Sequence, residues 1–468
     1  MRPLETLIPI ILAVYLLYPL SGKKRPHIVN ILPAIAFIVI LIHAFIEGMR
    51  WQMIPLYVFT VVALLISTST FFRTSQGETQ PRRPLRVILN LSLLALSTAL
   101  PILLPVPNIP APSGPYQVGT RIYELTDTSR KELYSGKDEA RRFQFQIWYP
   151  ADVASTDKQA PWMANADVFA PAISEFLELP SFFLNHLALV KVPAYKDSKV
   201  AASDGGFPVI LFSHGWQGFD AQNTGQALQL ASHGYVVVGM QHPYGALVTV
   251  FNDGTIANYN PNALPDGAPV DVYEIAARKL VNQWAGDMEY ALGFLTEQNS
   301  DPSSPFYGSF DLSHLGVYGH STGGGAAIQF CGTDTRCKAV LGEDPFMRPV
   351  SLEVLDSGVT QPAFFLFSQV WADDTGSRNN QLFNPFYAKS TDTYGALYIK
   401  GTAHHDFTDL PLLSPLAAPL GLKGPINGKR VTVIINDYLL SFFDMTLKGV
   451  PTDLFKNPSP YPEVNPKP

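Results

Sequence analysis

The chain has 468 residues, of which 47% are hydrophobic and only 15% charged, with a formal net charge of −6. A mean hydropathy of +0.09 is high for a purely water-soluble protein, and the acidic balance excludes a basic nucleic-acid-binding surface. The length allows more than one folding unit and a sizeable core.

Charge is unevenly placed. Through residue 105 nine lysines and arginines stand against three glutamates, whereas the remainder carries 24 basic against 36 acidic residues. The basic part is also the apolar part. Uncharged runs occur at Thr6–Leu20, Ile28–Ile46, Trp51–Phe72 and Val87–Leu104, and a helix needs roughly 20 residues to cross about 30 Å of hydrocarbon. The first run is short, but no small-residue cleavage site follows it, so the pattern predicts four retained spans rather than a signal peptide and three. Lys23, Lys24 and Arg25 lie between the first two spans and Arg73, Arg82, Arg83 and Arg86 between the last two, against Arg2 and Arg50 on the other face. That bias places those two loops in the cytoplasm and everything after Leu104 on the extracytoplasmic side. Residues 1–107 are thus expected to be a transmembrane region, with the lipid bilayer as its partner. "LPVPNIPAPSGPY" follows, and its prolines predict an extended spacer holding the outer unit just off the bilayer.

Residues 108–468 read as one catalytic unit. The runs "RFQFQIWYP", "PVILFSHG", "YVVVGMQHP", "LGVYGHS", "KAVLGED", "PAFFLFSQ" and "GALYIKGTAHH" are near-continuous Val, Ile, Leu and aromatic stretches, as strands buried on both faces of a parallel sheet require. Helical stretches such as "EIAARKLVNQWAGDMEYALGFLTEQ", "TGGGAAIQF" and "KRVTVIINDYLLSFFDMTLKG" separate or follow them. The alternation predicts a doubly wound α/β domain. Pro161–Tyr195 interrupts it and is apolar on more than one face, which fits either a packed helical insertion or a surface that touches the bilayer.

Gly319-His320-Ser321-Thr322-Gly323 matches G-x-S-x-G, directly after a strand and directly before a helix. In that context the serine occupies a strained turn with its hydroxyl pointing away from the sheet, so Ser321 is the expected nucleophile. A serine needs a base to take its proton, and on such an elbow the chain order is serine, acid, histidine. Of ten histidines only His404 and His405 follow Ser321. The acid is either Asp344, ending the next strand, or Asp373 or Asp374 after the one beyond. The oxyanion requires two backbone donors. Thr322 N–H, next to the nucleophile, is one; Trp216 N–H, in the His214-Gly215-Trp216 turn, is the other, unless "SHGWQG" is an ordinary glycine turn. His320 is expected to pack rather than catalyse, and His214 and His242 end earlier strands and could line the site. No metal-ligand spacing occurs, and the chemistry calls for no metal or organic cofactor. Cys331 and Cys337, the two cysteines, close a short loop as a disulfide in an oxidising compartment would, the alternative being two reduced, buried thiols.

"GPYQVGT", "FSHGWQG" with "LASHGYVVVGMQHP", "GHSTGGG", "EDPFMRP" and "GTAHHDF" resemble, in that order, the platelet-activating factor acetylhydrolase family of serine lipases. The resemblance implies an α/β-hydrolase fold behind the membrane bundle. It also implies Ser321 as nucleophile, Asp344 as acid and His404 as base, with His405 a neighbour, and it favours Trp216 and Thr322 for the oxyanion hole. The activity implied is calcium-independent hydrolysis of the short or oxidised acyl ester of a phospholipid, with Pro161–Tyr195 contributing to lipid-surface contact. "GHSTGGG" is also similar to the elbow of cutinase-like and polyester hydrolases, which leaves a general carboxylesterase as the other expectation. A transport or sensing bundle carrying a ligand-binding module is disfavoured by the complete Ser, Asp and His set.

Overall fold

The computed structural model of the chain describes residues 1–21, 26–73, 84–456 and 459–468. Lys23, Lys24, Arg25, Arg82 and Arg83, on which the expected orientation rests, lie outside the described residues.

The apolar runs form helices α1 (Pro3–Leu17), α2 (His27–Ile46), α3 (Ile54–Arg73) and α4 (Pro84–Leu103). All four are long and apolar enough to cross a membrane. They pack through a small core that includes Ile8, Leu12, Ala36 and Leu56, while Ile10, Ile38, Leu65 and Leu96 point outward and are exposed. A helix apolar all round in this way suits lipid rather than water. One end of the bundle carries a paired polar cluster. Arg50 donates to both Glu5 oxygens, at 2.7 and 2.9 Å; Arg2 donates to Glu5 and to the Gly48 carbonyl; His43 lies between Glu47 and the Tyr57 hydroxyl. Glu5, His43 and Glu47 are close enough together to surround an ion, but these partners already occupy Glu5 and both ring nitrogens of His43.

The outer unit is built on one sheet. Its central strands are β1 (Gln117–Lys131), β2 (Ala140–Asp152), β3 (Phe207–Ser213), β4 (Val236–Gln241), β5 (Phe310–His320), β6 (Cys337–Glu343), β7 (Ala363–Ser368) and β8 (Thr393–Ile399). They lie side by side as β1-β2-β4-β3-β5-β6-β7-β8. From β4 to β8 neighbours are parallel; β2 is antiparallel to both β1 and β4. Successive residues of each inner strand enter different cores. Val209, Leu211, Val317 and Phe365 join one; Ile210, Phe212, Tyr318 and Phe364 join the other. Both faces are therefore covered, and the inner strands read as unbroken apolar runs for that reason. Long helices supply the covers: Trp284 and Met288 of α7 (Val270–Ser300) with α8 (Thr322–Thr333) on the first face, and α6 (Thr224–Ser232) with Tyr438 and Phe442 of α9 (Gly428–Lys448) on the second.

Three features differ from the sequence expectations. β1 was not anticipated: its second half, "ELTDTSRK", is polar and reads as loop, yet it pairs with β2 as an antiparallel ribbon with one face toward solvent. Pro161–Tyr195 is only partly helical, forming α5 (Ala166–Phe176), a short turn at Asn185–Leu189 and a strand, Lys191–Lys196, that lies between β1 and the short edge strand Gln159–Pro161. The proline-rich segment is not a free spacer. Ile109 is 2% exposed within the outer core, and Ser113 and Gly114 are bonded to Gln229 and Ser232 of α6. A disulfide joins Cys331 and Cys337 at the end of α8 and the start of β6.

Candidate active site

Ser321 sits between β5 and α8 with φ 56° and ψ −120°, a left-handed conformation that costs a non-glycine residue of order 1–3 kcal/mol. The turn is held from both sides. Ser321 N–H donates to Glu343 O at 2.9 Å, and Ser321 O accepts from Phe346 N–H at 2.9 Å and Gly325 N–H at 3.1 Å. The flanking glycines are required by crowding: a Cβ on Gly319 would collide with the Gly323 carbonyl, and one on Gly323 with the Ser213 carbonyl. The sharp turn lifts Ser321 into an apolar pocket whose lining also includes Gly215, Trp216, His320 and His404.

His404 begins a short turn after β8. Its Nδ1 is 2.9 Å from Asp344 Oδ2. Trp371 lies flat against its ring, with centroids 4.4 Å apart and planes 5° apart, and His320 packs on it at 4.4 Å. Asp344 is fully buried and also accepts from Ser368 N–H at 2.7 Å and Ser368 Oγ–H at 2.6 Å. Burial pushes both partners toward their neutral forms, and the nearby His405 adds to the effect on His404. The imidazole is therefore a free base at neutral pH. For Asp344 burial raises the carboxyl, and the Ser368 pair opposes the rise by favouring the ionised form. The two Ser368 donors favour the carboxylate, and a carboxylate only accepts, so His404 Nδ1 carries the proton and is the third donor. This fixes the His404 tautomer, with Nε2 unprotonated. Asp373 and Asp374 are exposed, with neither bonded to His404. His405 is exposed beside His404.

The turn after β3 approaches the elbow closely, since a Cβ on Gly215 would lie 3.3 Å from the Ser321 Cβ. Trp216 N–H and Thr322 N–H have no hydrogen-bond partner among the described residues. Their arrangement follows from His214. His242 N–H donates to His214 Nε2 at 3.2 Å, so Nδ1 carries the proton and donates to Gly215 O at 2.7 Å. A planar peptide points its N–H opposite to its C=O, and anchoring the Gly215 carbonyl on His214 turns the Trp216 N–H the other way. His214 and His242 thus do not line the pocket. They are buried behind it, where His242 bridges Ser213 Oγ at 3.0 Å and Asp287 Oδ2 at 2.9 Å. Burial pushes Asp287 up, but Arg141 and His242 more than offset this and hold it below the carboxylate range.

Two contributors to this site went unnoticed in the sequence, Ser368 and Trp371. The signal for Ser368 is its position: it ends β7, which runs parallel to β6 with Glu343 opposite Leu366, so its N–H and hydroxyl fall next to Asp344.

The model of the family "Platelet-activating factor acetylhydrolase, isoform II" matches residues 104–264 and 294–454, well over half of the chain. The chain belongs to the platelet-activating factor acetylhydrolase family. Curated relatives include the platelet-activating factor acetylhydrolase of Cavia porcellus, 29% identical over 366 residues that make up 73% of this chain and 78% of the relative. A probable 1-alkyl-2-acetylglycerophosphocholine esterase of Arthroderma benhamiae is 24% identical over 392 residues, 76% of this chain and 92% of the relative. A ferulic acid esterase from Streptomyces cinnamoneus superposes with a TM-score of 0.63 at 23% identity, over 77% of this chain and 99% of that one; at that identity it speaks for the α/β-hydrolase fold. As a member of the acetylhydrolase family on this fold, the protein is a carboxylic ester hydrolase. The family match begins at residue 104, so the four apolar helices lie outside it.

Proposed function

We propose that this acetylhydrolase-family protein is a membrane-tethered serine hydrolase that cleaves short or oxidised acyl esters of phospholipids. Ser321 Oγ attacks the ester carbonyl while His404 takes its proton, and Trp216 N–H and Thr322 N–H receive the developing oxyanion. His404 then returns the proton to the leaving alcohol, and an acyl-enzyme remains on Ser321. Water, deprotonated by His404, attacks that acyl group; the acyl–Oγ bond breaks, His404 returns the proton to Ser321 Oγ, and the acid is freed. Asp344 orients His404 and stabilises the imidazolium formed at each transfer. The single observation carrying this reading is that one pocket holds a strained Ser321 and a histidine locked by a buried carboxylate, beside two unpaired N–H groups.

The substrate class draws on the acetylhydrolase and acetylglycerophosphocholine esterase relatives and on the apolar lining from Ile173, Phe176, Leu177 and Leu413. The four apolar helices support embedding in a bilayer, and the disulfide supports an extracytoplasmic outer domain. The test compares kcat/KM for a 2-acetyl phospholipid, a long-chain phospholipid, a triglyceride and a soluble ester in one detergent system. The reading expects preference for the 2-acetyl phospholipid, whereas equal rates across the lipids would favour a general carboxylesterase.

A further inference from the structure

Among the described residues, hydrogen bonds join the bundle to the outer domain at two places, and each leads to the pocket. The loop between α2 and α3 supplies the first contact. Trp51 Nε1–H donates to Phe183 O at 3.0 Å, and its ring packs on Phe182 and Phe183 with centroids 5.7 and 5.2 Å away. Gln52, wholly buried, places Nε2 2.8 Å from His186 Nδ1. An amide NH2 only donates, so Nδ1 is the acceptor; burial lowers this imidazole to about 4, which keeps it neutral. The Phe183–His186 segment is tied in turn to α5, because Leu184 N–H donates to Ser174 Oγ at 3.1 Å. The same end of α5 presents Ile173, Phe176 and Leu177 to the pocket.

The second contact is Ser414 Oγ–H, which donates to Leu103 O at the end of α4 at 2.7 Å. Its segment contributes Leu410 and Leu413 to the same pocket. Arg50 holds the two contacts together within the bundle. It sits beside Trp51, binds Glu5 through two donors, and donates to the carbonyls of Pro101 and Leu104 at the end of α4.

We propose that Trp51 and Gln52 are positioning residues for acyl selectivity: the Arg50-clamped end of the bundle fixes the spacing of the two apolar walls beside Ser321. The bundle is then part of the binding pocket's frame as well as a membrane anchor. This rests on the serine-esterase reading above. It differs from a simple tether, which would affect all soluble substrates alike.

The test uses the full chain in detergent micelles with p-nitrophenyl acetate and p-nitrophenyl octanoate. The octanoyl chain, and not the acetyl group, is expected to extend onto these walls. Gln52→Ala and His186→Ala should each change the octanoate-to-acetate ratio of kcat/KM by about fivefold or more, through the KM of the longer ester. The double variant should be no worse than either single one, as for a shared contact. His186→Asn, which keeps an acceptor where Nδ1 stood, should restore the ratio to within about twofold, and it reads the coupling even if Gln52→Ala fails to fold. A ratio unchanged in every variant, or additive losses in the double one, overturns the proposal. Loss of the underlying reading is told apart by Ser321→Ala hydrolysing both esters.

Discussion

The working parts of the site are single polar atoms whose neighbours leave them one thing to do. Asp344 is buried with three donors, two of them from Ser368, so its orientation is set before substrate arrives. Ser368→Ala removes one donor to a buried carboxylate, a loss of about 1.5–3 kcal/mol for a charged hydrogen bond, and should lower kcat roughly tenfold to a hundredfold. Asp374→Asn, at an exposed position, should leave steady-state kinetics within about twofold. Finding the larger loss at Asp374 would move the acid to the next strand. At this scale the sequence offered three acids at two locations and two histidines, and it could not choose between them from order alone. The choice depends on burial and on donors contributed by another strand, which adjacent residues do not encode. The strained turn at Ser321 was legible because its signal is local: glycines two residues to either side, a strand before and a helix after.

The strand-turn-helix element makes that local signal physical. Gly319 and Gly323 are needed because β5, α8 and the turn after β3 converge within contact distance of the elbow. Gly323→Ala should therefore lose about 3 kcal/mol or more of stability, a large overpacking penalty, read as a lowered midpoint in a urea titration of the full chain. A midpoint equal to wild type would mean the convergence is looser than described. The inner strands were legible as apolar runs because both faces are covered. β1 was not, since only part of it is buried and its polar half obeys cross-strand pairing rather than composition. Pro161–Tyr195 packs into the core as an insertion but is only partly helical, since a short strand and turns inside an apolar stretch have no period of their own.

For the whole molecule, the proposal joins an ester hydrolase to a bundle that lies outside the family match. The four helices were legible because hydrocarbon thickness imposes a length and a composition at once. The packing of the proline-rich segment on α6 was not, because proline spacing speaks to stiffness and not to what the segment rests against. The disulfide provides a topological check independent of charge bias. In cells denatured directly in alkylating agent, Cys331 and Cys337 should stay unmodified before reduction, and both should be modified by alkylation after it. Modification before reduction would place the outer domain in a reducing compartment.

The most direct measurement is fluorophosphonate labelling of the full chain, mapped to a peptide and run beside the hydrolysis rates of Ser321→Ala and Asp344→Asn. The account predicts one label, on Ser321, with kcat for ester hydrolysis falling by roughly four to six orders of magnitude in Ser321→Ala and about four in Asp344→Asn. A label on any other serine, or a Ser321→Ala protein that keeps more than about a tenth of the wild-type rate, would contradict it.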